Sequence, residues 1–346
     1  MKLIFGPMAT LSHQGMRRTL SKFGGVDEYY TEMIHTSSLV AGGQYEPYYI
    51  LNETENEKIV WQLTGNKLDD FAEAAKIVCQ KGGIGIDINM GCSAPDIVRS
   101  GAGIAWMKKP LSETAKILES VRGVLNENKI NNCKRLSVKF RLGAEDWTEK
   151  KFYNFIDMLV SEGVSQFVLH PRTQKEKLCR PIRLHYCEEL AKYILEKYGT
   201  YAKDANAFQI ILNGNIKDVE SAMAAQKKCP SCHGIMIARG AVQKPWVFSQ
   251  IKNKMNSEYY FEQTDIISKK EIDLLNVAKV FIEDLKECQP KDFWKSRAHR
   301  FFVYYCNNFM FASQVRCNIL NCVNLEDMIL QLENYFEKMP EERFLK

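Results

Sequence analysis

The residues most able to do chemistry stand in the segment 86–92, Ile-Asp-Ile-Asn-Met-Gly-Cys. An apolar run ends there in an amide, Asn89, and a Met-Gly turn then leads to the thiol of Cys92. A glycine lets the backbone turn sharply, and a residue just past a strand end projects from a loop instead of the core. Cys92 is therefore a candidate catalytic thiol, and the alternative is a small buried hydrophobic residue, as most free cysteines are.

Other polar residues stand at the ends of further apolar runs. Each could bind or react: an amide could pair with the edge of a heteroaromatic ring, a lysine in a buried strand needs an anion or an electron-rich ring, and an arginine could hold a phosphate. These residues are Gln62, Lys139, Arg141, His170, Arg172, Asn213 and Arg239, with Pro7 and Met8 after the first run. For Arg239 the alternative is an exposed loop charge, and for His170 it is a histidine with a purely structural hydrogen bond.

The apolar runs alternate with longer amphipathic stretches, which is typical of a parallel sheet wrapped by helices. They cover residues 3–7, 27–31, 59–63, 84–89, 136–141, 166–170, 208–213 and 234–239. About eight strands within about 240 residues predict an α/β protein with a (β/α)8 TIM barrel, whose active site lies at the carboxyl ends of the strands. An open doubly wound sheet is the alternative, but residues 6–9, Gly-Pro-Met-Ala, are not its glycine-rich fingerprint.

Composition sets outer limits on the class of protein. The chain has 346 residues, of which 45% are hydrophobic, and its formal net charge is +5, which permits but does not require a nucleic-acid partner. No apolar run is long enough to span a bilayer, and the beginning of the chain does not look like a signal peptide. Eleven cysteines without a disulfide spacing indicate reduced thiols. We therefore expect a cytoplasmic protein with no membrane association, and the polar residues at the strand ends indicate that it is an enzyme.

Several segments in series resemble the motifs of the tRNA-dihydrouridine synthases. They are Gly-Pro-Met at 6–8, Gln-Leu-Thr-Gly at 62–65, Asp-Ile-Asn-Met-Gly-Cys at 87–92, Val-Lys-Phe-Arg-Leu-Gly at 138–143, His-Pro-Arg-Thr at 170–173, Asn-Gly-Asn-Ile at 213–216, and Arg-Gly-Ala at 239–241 followed by Pro-Trp at 245–246. A single motif would be weak, but seven in the family's order are specific. The resemblance covers about residues 1–250 and implies an FMN-binding barrel over 1–250 and a helical tRNA-binding domain over 251–346.

The resemblance also implies roles for individual residues. It makes Cys92 the donor of a proton to carbon 5 of a uracil ring whose carbon 6 receives a hydride from reduced flavin, with NADPH or NADH as reductant. A thiol suits this role because it is mostly protonated at neutral pH and is still a competent acid. The implied flavin site comprises Pro7, Met8, Ala9, Gln62, Lys139, His170, Asn213, Gly214, Asn215, Ala238 and Arg239. Asn89, Arg141 and Arg172 are expected to contact substrate, and the enzyme is expected to be a monomer.

Four residues depart from the family's motifs and leave the geometry of the substrate loops open. They are Ser93, Pro171, Leu178 and Arg180. Ser93 stands where the family has a proline, which appears here as Pro95, and Pro171 stands where a glycine is usual. Ala238 replaces a common glycine and is small enough to keep a backbone contact to phosphate.

The residues after about 252 lose the strand pattern and are predicted to be helical. A cluster of basic residues includes Lys291, Lys295 and Arg297, and a helical stripe of them would suit an RNA backbone. Another face would carry Trp294, Ala298, Phe301 and Tyr305 toward the interior. The alternative for the basic stripe is a solvated helix face.

One segment is a metal-site candidate that we do not favour. Residues 229–233, Cys-Pro-Ser-Cys-His, have the c-type haem spacing and could also supply zinc ligands. Because no second cysteine pair lies near it, we expect no metal there and place the segment in the loop before the last barrel strand.

Two other functions remain open from the sequence. One is an FMN-dependent dehydrogenase of a free small molecule such as a dihydropyrimidine or dihydroorotate, which would leave the C-terminal helical region unexplained. The other is an RNA-binding barrel that has lost catalysis, which would give no reason to keep Cys92, Lys139, His170 and Arg239 together.

Overall fold

The computed structural model describes residues 1–53, 55–144, 148–176, 180–199, 208–255, 267–268 and 271–345. The strands are β1 Lys2–Phe5, β2 Glu28–Tyr30, β3 Ile34–His35, β4 Ile59–Thr64, β5 Gly85–Met90, β6 Arg135–Gly143, β7 Gln166–Thr173, β8 Gln209–Asn213, β9 Gly234–Ile237, β10 Ile267–Ser268, β11 Glu271–Asp273 and β12 Phe344–Leu345. Each of the eight predicted apolar runs overlaps one of the strands β1, β2, β4, β5, β6, β7, β8 and β9.

The helices alternate with the strands through the first part of the chain and then follow one another. They are α1 Gln14–Ser21, α2 Thr36–Val40, α3 Glu46–Tyr49, α4 Leu68–Gln80, α5 Pro95–Arg99, α6 Leu111–Glu127, α7 Glu149–Ser161, α8 His185–Tyr198, α9 Val219–Lys228, α10 Arg239–Gln243, α11 Val247–Met255, α12 Leu274–Cys288, α13 Lys291–Tyr305, α14 Ala312–Leu320 and α15 Leu325–Lys338.

Eight parallel strands close into a barrel in the order β1, β2, β4, β5, β6, β7, β8 and β9. The short strand β3 pairs with the carboxyl end of β4 and was not predicted. Because side chains alternate between the two faces of a strand, Ile4, Val60, Val168 and Ile211 pack against one another, apart from the core between strands and helices. The fold is a TIM barrel, as the sequence predicted.

The C-terminal helices pack against the barrel through α1 and α12. Gly15 allows this close approach, because a Cβ atom at this position would lie 2.7 Å from the carbonyl oxygen of Asp284. The buried carboxylate of Asp284 accepts hydrogen bonds from the Thr19 hydroxyl at 2.8 Å and the Lys22 ammonium at 2.7 Å. Burial of this charge is therefore compensated across the contact between the two parts of the chain.

The C-terminal region is helical around an aromatic core, and it also contains a small antiparallel sheet. The rings of Phe281 and Phe301 stack at 3.8 Å, and Tyr305 continues the stack. Ala298 and Phe301 are fully buried, as the helical pattern predicted. Strands β10, β11 and β12 form the small sheet, which the sequence analysis did not anticipate because two of them have only two residues.

Candidate functional site

The carboxyl ends of the barrel strands bring the predicted polar residues together. In the sheet register, Gln62 lies opposite Asp87, Asn89 opposite Lys139, and Arg141 opposite His170. These residues recur at every second position of β4, β5, β6 and β7, which places them on the inner face of the barrel. The polar rim predicted from the sequence is therefore present.

A cavity of about 610 Å³ opens at this rim, and we call it the rim cavity. Eight of its lining residues were expected at the site: Met8, Arg141, His170, Asn213, Gly214, Asn215, Ala238 and Arg239. Seven were not: Ile216, Lys217, Met236, Gly240, Gln243, Tyr304 and Asn307. Ile216 and Gly240 stand within the quoted motifs and Lys217 directly follows one of them, so these three could have been found. Tyr304 and Asn307 reach the cavity from the C-terminal region, which no local sequence signal shows.

His170 is a neutral imidazole whose tautomer follows from its partner. The Arg172 guanidinium lies 3.1 Å from Nε2, and because a guanidinium can only donate, Nε2 is the acceptor and the proton is on Nδ1. Burial and the nearby cations Lys139, Arg141, Arg172 and Arg239 lower the pKa of His170 to about 2. His170 is therefore a neutral hydrogen-bond donor in the rim cavity at physiological pH.

The turn after β8 brings its backbone close to His170. Gly214 has φ of 129°, and a Cβ atom there would lie 2.9 Å from Cδ2 of His170 and 2.3 Å from Cδ1 of Ile182. Asn215 follows in the left-handed region with φ of 54°, and its amide oxygen lies 3.4 Å from the Arg172 guanidinium. Only glycine fits at 214, so this wall of the cavity is formed by bare backbone.

The loop after β1 is held by hydrogen bonds on both sides of its turn. The Met8 N–H donates to the Ser12 hydroxyl at 2.9 Å. Thr10 takes the left-handed conformation with φ of 65°, and its N–H donates to the Glu32 carboxylate at 2.6 Å. Met8 lines the rim cavity, whereas Pro7 is half-buried and Ala9 exposed in the same loop.

Two cations of β6, Lys139 and Arg141, face this region. Burial, and next the neighbouring Arg141, lower the pKa of Lys139 to about 8, although Asp87 and Cys92 act in the opposite direction. Arg141 donates from Nε to the carbonyl oxygen of Gly91 at 2.8 Å, and its buried Nη1 has no hydrogen-bond partner among the described residues. A buried donor without a partner is costly, so this part of the rim is suited to an acceptor or an anion.

The loop that carries Cys92 is fastened by the side chain of Asn89. The amide oxygen of Asn89 accepts from the N–H of Cys92 at 2.9 Å and from the N–H of Gly91 at 3.2 Å. The carbonyl oxygen of Cys92 accepts from the N–H of Ile104 at 3.0 Å. Cys92 is half-buried, so its thiol lies on a defined backbone and is not part of the apolar core. Asn89 therefore holds the cysteine loop, in addition to any contact with substrate.

Gln62 and Arg172 are placed differently from the sequence expectation. Gln62 is fully buried; its amide nitrogen donates to Asp87 at 2.7 Å and its oxygen accepts from Asn89 at 2.9 Å, so the amide is already paired inside the barrel. Arg172 is only 1% exposed, and besides its contacts with His170 and Asn215 it donates to the carbonyl oxygen of Arg180 at 2.7 Å. The guanidinium of Arg172 therefore supports other residues of the site, and its contact with substrate stays a prediction.

The basic stripe of α13 divides into two parts. Lys291 and Lys295 are exposed, in agreement with the expectation. Arg297 is 2% exposed and forms an ion pair with Glu32 at 2.7 Å. Its assignment to an RNA-binding surface is therefore wrong, because helical phase places it on the side that packs against the barrel.

Three of the four departures from the family motifs can be located. Pro95 is the first residue of α5, where its fixed φ favours helix initiation, and Ser93 lies half-buried before it. Pro171 lies within β7, where its carbonyl oxygen accepts from the N–H of Arg183 at 3.3 Å. Arg180 supplies the carbonyl oxygen that binds Arg172. Leu178 lies outside the described residues.

Residues 229–233 form the loop before the last barrel strand, as predicted. The Cys229 thiol donates to the carbonyl oxygen of Leu184 at 3.2 Å, and the Cys232 thiol to that of Cys187 at 3.5 Å. Within the described ranges, no group of three or more histidine, cysteine or acidic side chains is arranged to hold a metal ion. A search of the same residues finds no helix long and apolar enough to cross a bilayer.

The family model and the curated relatives that match this chain carry the same family description. The family model described as dihydrouridine synthase matches residues 4–339. The chain is 28% identical over 262 residues to a probable tRNA-dihydrouridine synthase of Aquifex aeolicus, covering 74% of each chain. It is 24% identical over 341 residues to a probable tRNA-dihydrouridine synthase of Staphylococcus aureus, covering 98% of this chain and 94% of that one. Among solved structures, morphinone reductase aligns with a TM-score of 0.46 and 10% identity over 76% of this chain and 87% of that chain. Because the family model spans nearly the whole sequence, the chain belongs to the dihydrouridine synthase family.

Proposed function

We propose that this protein is a tRNA-dihydrouridine synthase that uses FMN and NAD(P)H to reduce the C5–C6 double bond of specific tRNA uridines. The observation that carries the proposal is the Cys92 loop, fastened by Asn89 and joined through Gly91 to Arg141, which itself lines the rim cavity. The hydrogen bond between Arg141 and Gly91 connects the loop of Cys92 to the lining of a cavity that can hold a large polar cofactor, which supports a role for the thiol there. The names of the relatives point to the same reaction.

The residues of the rim cavity fit FMN. The exposed guanidinium of Arg239 and the ammonium of Lys217 are suited to a phosphate, and Gly214 offers bare backbone on which a flat group can lie. Arg141, whose Nη1 has no partner within the described part of the chain, favours an electron-rich or anionic ring, as does Lys139 two residues before it on β6, and neutral His170 can donate from Nδ1. FMN bound there would supply the hydride for carbon 6 of the uracil ring.

Cys92 then donates its thiol proton to carbon 5. Two N–H groups bound to one amide oxygen define the backbone of this loop, so the thiol is positioned before substrate arrives. Asn89 and Arg141 both hydrogen-bond to the backbone of the Cys92 loop, and we assign them to the uracil edge. The target base has to leave its stack to reach them.

The C-terminal part of the chain, residues 251–346 in the domain division we propose, holds the tRNA. Lys291 and Lys295 present exposed cations to a phosphate backbone, and Tyr304 and Asn307 extend the same region into the rim cavity. This continuity gives an RNA bound on α13 a direct route to the site of reaction. NADPH is the expected reductant, delivered to the flavin before tRNA binds.

Replacement of Cys92 tests the chemical part of the proposal. Cys92→Ala is expected to bind FMN and to be reduced by NADPH at the wild-type rate, but to lose most dihydrouridine formation on tRNA, by about 100-fold or more. The matched control is Cys232→Ala, a half-buried cysteine at the other end of the barrel, which should leave product formation unchanged. Normal product formation by Cys92→Ala would contradict the proton-donor role.

A further inference from the structure

Asp87 is a buried carboxylate on the inner face of the barrel that the proposed reaction does not use. It lies on β5 two residues before Asn89, and its side chain has no exposed surface. One oxygen accepts from the Gln62 amide at 2.7 Å and the other accepts from the Ser137 hydroxyl at 2.9 Å. Burial of an acidic group in this way is costly, so a reason for its presence should be found in what it contacts.

The hydrogen bonds that start at Asp87 lead to Cys92 through two amide side chains. The Gln62 nitrogen donates to Asp87, the Asn89 nitrogen donates to the Gln62 oxygen at 2.9 Å, and the Asn89 oxygen accepts from the N–H of Cys92. We call this series the Asp87 relay. All of its side chains are buried, so water does not readily replace a missing partner.

The direction of every bond in the relay is determined by its two ends. The N–H groups of Gly91 and Cys92 can only donate, so Asn89 must present its oxygen to them and its nitrogen to Gln62. Gln62 must then present its oxygen to Asn89 and its nitrogen to an acceptor. Asp87 is that acceptor. Without it, a reversed Gln62 amide would bring two nitrogen donors face to face and reverse Asn89 as well.

We infer that Asp87 is a positioning residue that sets the amide orientations of Gln62 and Asn89 and thereby holds the backbone of Cys92 in place for proton transfer. The part that concerns proton transfer rests on the proposed function, whereas the part that concerns the loop does not.

The relay does not depend on the charge of Asp87. Burial raises the pKa of this carboxyl to about 7, while the hydrogen bonds from Gln62 and Ser137 act against the rise. The protonated form can place its hydrogen on the oxygen that faces Ser137 and still accept from Gln62 on the other. An amide can do the same, which makes Asp87→Asn the conservative variant and Asp87→Leu the variant that removes the acceptor at similar volume.

Hydrogen exchange at single amides of the full-length protein tests the inference without any activity. In Asp87→Leu, the N–H groups of Gly91 and Cys92 should exchange about tenfold faster than in wild type, because the Asn89 oxygen no longer holds them in hydrogen bonds. Asp87→Asn should restore wild-type exchange. Ser137→Ala is the matched control, since it removes the other hydrogen bond of Asp87 and leaves the relay intact, and it should not change exchange at these two amides.

Gln62→Met breaks the relay at its second link and keeps the inference testable if Asp87→Leu does not fold. It should reproduce the faster exchange at Gly91 and Cys92, with helix α8 as the internal reference that stays protected. Wild-type exchange in a folded Asp87→Leu or Gln62→Met protein, or equal acceleration in Ser137→Ala, would overturn the inference.

Turnover separates this inference from the proposed function. Asp87→Leu should lower kcat for tRNA reduction about 10- to 100-fold with KM for tRNA nearly unchanged, and Asp87→Asn should recover most of kcat. Wild-type kcat in Asp87→Leu would overturn the catalytic part of the inference. Faster exchange in variants of a protein that does not reduce tRNA would uphold the positioning role and refute only the proposed function.

Discussion

The carboxylate of Glu32 and the guanidinium of Arg297 form a buried ion pair at 2.7 Å, between the end of β2 and helix α13. The second oxygen of Glu32 accepts from the N–H of Thr10 in the loop that carries Met8. One carboxylate thus joins the C-terminal region to a loop of the rim cavity. Because each charge is nearly inaccessible to water, neither can be left alone without a large cost.

Arg297→Met should lower the free energy of unfolding by about 3–5 kcal/mol, because it removes the cation that pairs directly with the buried Glu32 carboxylate. Glu32→Gln combined with Arg297→Met should be less destabilised than the sum of the single variants. Urea unfolding checks both, with Lys295→Met as an exposed control on the same helix that should change stability by less than about 0.5 kcal/mol. An effect of Arg297→Met as small as that of the control would contradict the buried pair.

FMN affinity should fall as pH rises through about 8, where Lys139 loses its charge. The sign follows from the lowered pKa: the ammonium is present below pH 8 and is replaced above it by a neutral amine that no longer attracts the flavin. Lys139→Arg should keep an affinity that is flat to pH 9.5, because a guanidinium remains protonated, and Lys139→Met should bind weakly throughout. The FMN affinity of the three proteins is measured at each pH by the quenching of FMN fluorescence. The same pH dependence in wild type and Lys139→Arg would refute this role.

Gly214→Ala should release FMN and lower stability, because the added Cβ atom meets Ile182 and His170 at a backbone conformation that L-residues rarely adopt. A loss of about 1–3 kcal/mol in unfolding free energy is expected. Gly123→Ala is the control: it lies in α6 with open space around its Cβ position and should be stabilising by up to about 1 kcal/mol. FMN content tests the loss of flavin and the melting temperature tests the loss of stability in the two variants. Full FMN content in Gly214→Ala would exclude this wall of the cavity from the flavin site.

Lys291→Gln combined with Lys295→Gln should weaken tRNA binding and lessen its dependence on salt, by about one to two units in the slope of log K against log salt. The exposed barrel lysines Lys116 and Lys192, changed to glutamine together, make a control of equal charge. Filter binding of tRNA at several salt concentrations gives the slopes. Equal slopes for the two double variants would mean that the α13 lysines are only a solvated face.

The fold and the polar rim could be predicted because each rests on a local pattern. Short apolar runs between amphipathic stretches indicate strands, and a polar residue at a strand end is visible without knowing its neighbours. The two-residue period of a strand contained a further signal: Asp87, two residues before Asn89, belongs to the inner face of β5 and could have been named.

What could not be predicted depends on partners that are distant in the chain. Lys295 and Arg297 are both basic, but Arg297 lies on the side of α13 that packs against the barrel, where Glu32 pairs with it, whereas Lys295 is exposed. Arg172 was expected to face substrate, but its guanidinium hydrogen-bonds to His170 and to the carbonyl oxygen of Arg180. Tyr304 enters the rim cavity because of how the C-terminal helices dock, which periodicity within a helix does not determine.

Reoxidation of the reduced protein by tRNA tests the central claim most directly. Purified protein reconstituted with FMN is reduced anaerobically by NADPH until its visible flavin absorption disappears, and tRNA lacking dihydrouridine is then added. The account predicts that the absorption returns with formation of dihydrouridine, and that free uridine at the same concentration does not restore it. A flavin that is reduced but ignores tRNA would contradict the account in favour of a small-molecule dehydrogenase, and failure to bind FMN at all would contradict the site itself.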